Sequence, residues 1–145
     1  FRRVVLFLCS HNSARSQMAE AILREHVGER MDIHSAGLDP EAIHPLTKVV
    51  LQERGIDVSQ LRSKSVKEYL GKVSVTHAIF VCVQAEVRCP TTYPFALNRH
   101  SWPFDDPAAG PTDPDVQLLR FRRVRDEIEE RILAWLATEA EELGL

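Results

Sequence analysis

Apolar and polar positions alternate in blocks along this chain, and the block lengths set the expected elements. Val4-Val5-Leu6-Phe7-Leu8 is a continuous apolar run of five residues, which suits a strand buried on both faces of a parallel sheet. A polar stretch, Ser10 to Ser13, interrupts it. From Ser16 to Val27, the residues Met18, Ala19, Ile22, Leu23 and Val27 recur at helical spacing, and Gly28 stands where a helix C-terminus favours glycine. Met31 to Ser35 predicts a second short strand, turning at Ala36-Gly37. Pro45 takes the first position of a helix that points Leu46, Val49 and Val50 inward and closes at Gly55. Ser65 and Glu68 have the spacing of a capping box for a short helix. His77 to Val83 is a second strongly apolar strand, and Asn98 to Trp102 another. Prolines 103, 107, 111 and 114 with Gly110 mark the next stretch as loop. A long helix follows from Asp115 to Leu143, with Phe121, Val124, Ile128, Ile132 and Trp135 as its buried stripe. Trp102 and Trp135 are expected in the core. Strands alternating with helices predict an α/β domain built on a parallel sheet.

Composition narrows this picture. The chain has 145 residues, enough for one sizeable core, and a single domain over residues 1–145 is expected. Eighteen basic against twenty-one acidic residues leave a formal charge of −3, so nucleic acid, which demands a basic face, is not an expected partner. The basic run Arg120-Phe121-Arg122-Arg123-x-Arg125 passes straight into the acidic stretch from Asp126 to Glu130, as on a solvated helix face with its own ion pairs. No apolar run approaches the length of a membrane span, and the run at Val4–Leu8 is shorter than a secretory leader core. No membrane partner is expected, and the chain is read as a cytoplasmic monomer whose thiols stay reduced. It starts at Phe1 without a methionine, so a few residues are expected to be missing.

The three cysteines, Cys9, Cys82 and Cys89, cannot form a fully paired disulfide framework. None has the C-x-x-C spacing of a zinc site, and His26, His34, His44, His77 and His100 lack ligand spacing. These histidines are read as surface or core polar residues, and no metal or cofactor is expected.

Candidate chemistry concentrates in Cys9-Ser10-His11-Asn12-Ser13-Ala14-Arg15-Ser16, between a buried strand and a helix. Backbone N–H groups at a helix start lack intrahelical partners and point at whatever sits in the loop. A tetrahedral oxyanion satisfies them, and Arg15 can clasp two of its oxygens. The same positive field should lower the Cys9 thiol below its usual pKa of about 8.5. Ser16 can donate to the sulfur, and the Asn12 amide can lock the loop. Ser10, His11, Asn12, Ser13, Ala14, Arg15 and Ser16 are therefore the expected oxyanion-binding residues.

Cys9 through Glu20 resembles the active-site segment of the low-molecular-weight tyrosine phosphatase superfamily, and Asn12-Ser13-x-Arg15-Ser16-Gln17-Met18-Ala19-Glu20 resembles its arsenate reductase branch. The resemblance continues through Ser35-Ala36-Gly37, Gly55-Ile56-Asp57, Cys82, Cys89-Pro90, Trp102 to Ala108, and Phe121-x-x-Val124-Arg125-Asp126-Glu127-Ile128. It implies a three-layer α/β sandwich around a four-stranded parallel sheet. It implies Asp106, followed by Pro107, as the acid that protonates a departing group, with Asp105 as a like charge able to raise either carboxyl if the two lie close.

The same resemblance implies a use for the other two thiols. Cys82 alone reads more readily as a small buried apolar residue; the thioredoxin-coupled reductases carry cysteines at the positions of both Cys82 and Cys89. In that scheme Cys9 attacks arsenate, Cys82 attacks the Cys9 sulfur as arsenite leaves, Cys89 moves the disulfide to Cys82–Cys89, and thioredoxin reduces it. Disulfide geometry then requires the 82–89 segment to rearrange between redox states.

Four positions bear on the branch. Ala14 stands where phosphatases commonly have a second loop cysteine, and Ala108-Ala109-Gly110 follows Asp106-Pro107 where they commonly have aromatic residues. Both favour a small inorganic oxyanion over phosphotyrosine. His11 stands where the family commonly has glycine, at a place where a positive φ would be eased by glycine; it either adds charge beside the oxyanion or faces solvent. Some relatives hold a monovalent cation with residues matching Asn12, Glu20 and Ser35 plus a carboxylate. Lys64 falls at the carboxylate position, either as a substitute ammonium or as an exposed lysine.

Three alternatives stay open. The chain can be a phosphatase using Cys9, Arg15 and Asp106 alone, or a redox sensor or oxyanion-binding module whose thiols only switch. It can also be a reductase served by glutaredoxin or another low-molecular-weight thiol.

Overall fold

The computed structural model describes residues 3–69, 71–82 and 96–143, the last five through their backbone alone. Four parallel strands, β1 (Arg3–Cys9), β2 (Met31–Gly37), β3 (His77–Phe80) and β4 (Asn98–Ser101), form one sheet in the order β2-β1-β3-β4. Among the described residues three α-helices accompany it: α1 (Arg15–Val27), α2 (Pro45–Gln52) and α3 (Pro114–Leu143). The expected four-stranded parallel α/β fold is the one observed.

β1 is the central strand because it is apolar on both faces. Val5, Leu6, Phe7 and Leu8 are all fully buried. Successive strand residues point to opposite faces, so layers must cover both sides of the sheet. Burying each of these side chains contributes roughly 1.5–3 kcal/mol before entropy is subtracted. β4 is the opposite case, an exposed edge carrying Asn98, Arg99, His100 and Ser101. Phe121, Val124, Ile128, Ile132 and Trp135 of α3 are buried as their spacing required, and Trp102 joins them.

Small differences from the sequence expectation have local causes. Val49 points outward; α2 buries Thr47, Val50 and Leu51 instead. The helix is only two turns long, and its buried stripe is set by contact with α3, which Val49 misses. The strand from His77 ends at Phe80, one step before Val81, whose N–H still bonds to the Leu8 carbonyl, while Trp102 N–H bonds to the Phe80 carbonyl. Val83, Cys89 and the rest of 83–95 lie outside the described residues. Ser65 and Glu68 form the expected capping box, over a single 3-10 turn at Val66–Glu68.

The strand order places the site. β1 connects through α1 to β2 on one side, and the next strand, β3, adds on the other. The C-terminal end of β1 therefore lies where the order reverses, the crevice in which open α/β sheets bind ligands. Cys9 is the last residue of β1.

Candidate active site

The chain leaves β1 at Cys9 and enters α1 at Arg15, so the connecting loop is five residues, 10–14, drawn around a turn. Among the described residues, Asn12 is the one non-glycine with positive φ, at 52°. This corrects the expectation for His11: the left-handed residue is its neighbour, an asparagine, which tolerates that region comparatively well. His11 instead bonds through Nδ1 to the Asp39 carbonyl at 3.1 Å, with Glu41 at 3.7 Å.

The Asn12 side chain pays for its backbone strain with a full set of hydrogen bonds. Nδ2 donates to Ser16 Oγ at 2.8 Å and to Ser35 Oγ at 2.9 Å. Oδ1 accepts from Gln17 Nε2 at 2.8 Å and from the Lys64 N–H at 2.8 Å. The loop also rests on the chain beyond β2, where the N–H groups of Leu38, Asp39 and Glu41 bond to the carbonyls of Cys9, Ser10 and His11. Gly37 permits that approach, since a Cβ there would lie 2.9 Å from Asn12 N.

Behind the loop, Lys64 is buried rather than exposed. Its Nζ donates to Glu20 Oε1 at 3.1 Å and to the Arg62 carbonyl at 2.9 Å. Ser35 Oγ donates to the same Glu20 oxygen at 2.6 Å. Of the two readings left open for Lys64, the exposed lysine is excluded: its ammonium meets Glu20 and its backbone N–H meets Asn12.

In front of the loop lies a cavity of about 280 Å³ whose lining includes Cys9, Ser13, Arg15, His44 and Asp106. No side chain caps the start of α1, so its first N–H groups remain available to an anion. Arg15 is held by a bond from Nη1 to the Phe104 carbonyl at 3.0 Å, and its Nη2 lies 3.9 Å from Asp106 Oδ2. Asp106 accepts from Ala108 N–H at 2.9 Å and is 43% exposed. Asp105 turns away to Arg123 at 3.3 Å, so it is not the like-charged partner that proximity in sequence suggested.

Cys9 and Cys82 are both buried, and Cys82 is within hydrogen-bond reach of the Cys9 sulfur. Ser10 Oγ lies 3.5 Å from Cys82 Sγ. The Cys82 contact, first, and burial, second, push the Cys9 thiol up, while Arg15 and the Ser10 N–H pull it down. This corrects the expectation of a thiol below the ordinary range. The loop field is present, but two thiols in contact share a proton and resist losing both.

Of the expected site residues, Cys9 to Ser16, Cys82 and Asp106 come together; Cys89 falls outside the described residues. Sequence reasoning missed three that the fold adds. Gln17, fully buried, ties Asn12 to the Arg62 carbonyl. Thr47 Oγ1 donates to the Ser13 carbonyl at 2.8 Å. His44 lines the cavity, and its position just before the helix-opening Pro45 was the available signal.

The chain matches the low molecular weight phosphotyrosine protein phosphatase family over residues 4–144. The arsenate reductase of Halalkalibacterium halodurans is 37% identical over 138 residues, covering 94% of this chain and 97% of that protein. A thioredoxin-dependent arsenate reductase from Corynebacterium glutamicum superposes with a TM-score of 0.73 at 27% identity, covering 94% of this chain and 61% of that one. The YwlE arginine phosphatase from Geobacillus stearothermophilus superposes with a TM-score of 0.77 at 26% identity, covering 97% and 96%. With its loop, fold and length all matched, this chain belongs to the low molecular weight phosphotyrosine protein phosphatase family.

Proposed function

We propose that this chain reduces arsenate to arsenite, with thioredoxin as the electron donor. The observation that carries this reading is the contact between the buried thiols of Cys9 and Cys82. Hydrolysis of a phosphocysteine needs one thiol; reduction needs a second thiol close to the first.

The steps of the proposed reaction are these. Arsenate sits over Cys9 on the loop N–H groups of residues 10–16 and the Arg15 guanidinium. Reversing the thiol–thiol hydrogen bond, so that Cys82 donates, makes Cys9 the ionised partner, which Arg15 and the Ser10 N–H favour. The Cys9 thiolate forms a sulfur–arsenic(V) bond and displaces one oxygen, which leaves as water with a proton from Asp106. Cys82, as thiolate, then attacks the Cys9 sulfur. The sulfur–arsenic bond breaks, its electron pair stays on arsenic, and arsenite departs from a Cys9–Cys82 disulfide. Cys89 attacks Cys82, frees Cys9 as thiolate and leaves a Cys82–Cys89 disulfide. The dithiol of thioredoxin reduces that bond and is itself oxidised.

Arsenite release, followed with thioredoxin, thioredoxin reductase and NADPH, tests the reading. The native chain is expected to turn over, Cys9→Ser to be inactive, Cys82→Ser to release no arsenite, and Cys89→Ser to release about one equivalent and stop. Normal cycling by Cys89→Ser would overturn the relay. Glutaredoxin in place of thioredoxin identifies the donor.

A second reading, hydrolysis of phosphorylated substrates, is favoured by the complete set of Cys9, Arg15 and Asp106 and by the likeness to an arginine phosphatase. It predicts that Cys82→Ser hydrolyses an aryl phosphate as fast as the native chain and that no arsenite appears.

A further inference from the structure

His44 sits at the N-terminus of α2, where its ring does two jobs at once. Its Nδ1 accepts the Leu46 N–H at 3.1 Å, capping the helix. Its backbone N–H bonds to the Ser13 carbonyl at 3.1 Å, which ties the cap to the anion-binding loop. The ring lies against Phe121, with centroids 4.7 Å apart, and forms part of the wall of the Cys9 cavity, together with Asp106.

Capping fixes the tautomer. A nitrogen that accepts an N–H carries no proton, so the neutral ring holds its proton on Nε2. Burial lowers the His44 pKa, against a smaller upward pull from Asp106, so the neutral form prevails at neutral pH. The other charged or titratable groups of the cavity wall are Cys9, His11, Arg15 and Glu41. The cavity wall therefore includes a neutral ring with its proton on Nε2 and its orientation set by the helix it caps.

We propose that His44 is a substrate-contacting residue, donating its Nε2–H to an outward oxygen of the oxyanion seated over Cys9. The inference rests on the reading that this cavity takes an oxyanion, and assigns it a further ligand outside the loop. The loop N–H groups and Arg15 serve the oxygens that face the loop. An oxygen turned toward α2 needs a donor there, and His44 supplies one without adding charge beside Asp106. Fixing that oxygen also fixes which remaining oxygen faces the Asp106 carboxyl.

Asparagine separates the two jobs, because it caps a helix as well as any residue but does not place a donor where the imidazole edge lay. Alkylation of Cys9 by iodoacetamide, read by mass spectrometry of its peptide, is measured against inorganic phosphate concentration. At pH 8, above the titration of the histidines, His44→Asn is expected to melt like the native chain and to react at the same rate without phosphate, yet to need about tenfold more phosphate for protection, as for the loss of one hydrogen bond to an anion. Equal protection in the two proteins would overturn the inference while leaving the oxyanion site standing. Failure of phosphate or arsenate to protect even the native chain would instead sink the oxyanion reading itself, and this inference with it. Nitrogen-15 spectra of the native histidines need no variant. A protonated Nε2 that shifts on adding phosphate is expected, and a protonated Nδ1, or an Nε2 indifferent to phosphate, would overturn the assignment.

Discussion

Lys64 Nζ and Glu20 Oε1 face each other across 3.1 Å behind the loop that follows β1, with side chains only 8% and 7% exposed. The same Glu20 oxygen accepts a hydrogen bond from the Ser35 hydroxyl, which leaves the Ser35 oxygen free to accept from Asn12. The direction of each hydrogen bond is thus passed from the buried ammonium to the residue that bends the loop.

Two outcomes are expected from that chain of contacts. Exchanging potassium for tetramethylammonium should leave arsenate turnover unchanged, because the ammonium already serves Glu20. Lys64→Met should lower stability by roughly 3 kcal/mol, the scale for breaking one partner of a buried ion pair. A clear potassium dependence of the native chain would show that Lys64 does not take a cation's place.

The elements of the fold were legible from the chain because their periodicities are strong: five apolar residues at β1, a clean stripe on α3, a capping box at Ser65. Cys9 and Arg15 stood out as candidates because they bracket one strand-to-helix loop, and Asp106 only through the family resemblance. What was not legible depends on contacts between distant segments. The fate of Lys64 is decided by Glu20, forty-four positions away, and that of Asp105 by Arg123 on α3. The Cys9 thiol was misjudged for the same reason, since loop composition reports the field of Arg15 but not the arrival of Cys82. His44 looked like one polar residue among several, because a cap that also lines a cavity is visible only once α2 is laid against the loop.

Removing Cys82 should lower the apparent pKa of Cys9. The Cys82 contact is the largest upward influence, and Arg15 and the Ser10 N–H remain to pull the other way. In Cys82→Ala, the rate of Cys9 alkylation measured against pH without phosphate should rise at lower pH than in the native chain. An unchanged profile, or one displaced upward, would mean that the two thiols do not share a proton.

Gly37→Ala should damage the loop more than the sheet. The added Cβ would meet Asn12 N and the His11 carbonyl carbon at 2.9 Å and the Ser10 carbonyl oxygen at 3.0 Å, all backbone atoms. Relief requires the loop to move off β2, breaking the bonds from Leu38, Asp39 and Glu41. Phosphate protection of Cys9 should weaken by about 5- to 150-fold, for a destabilisation of roughly 1–3 kcal/mol. Native-like protection in this variant would show that the loop does not depend on so close an approach.

Acid should weaken the fold through histidine before it does so through carboxylates. Burial is the leading cause that lowers His34 and His44 below 6.5 in the folded chain. A group whose folded pKa lies below its unfolded one is protonated first in the unfolded chain, so unfolding takes up protons and stability falls with pH. The loss starts near pH 6.5 and continues down to the folded values. Glu53 and Glu129 act lower: their arginine partners hold them below 4.5, so their stabilisation persists until the pH falls under that point. Melting temperature should therefore begin to drop on acidification from about pH 6.5, well before the carboxylates titrate. His44→Asn should remove part of that early drop, because asparagine caps α2 without titrating. A melting temperature that stays level until the carboxylate range would show that neither histidine is coupled to folding.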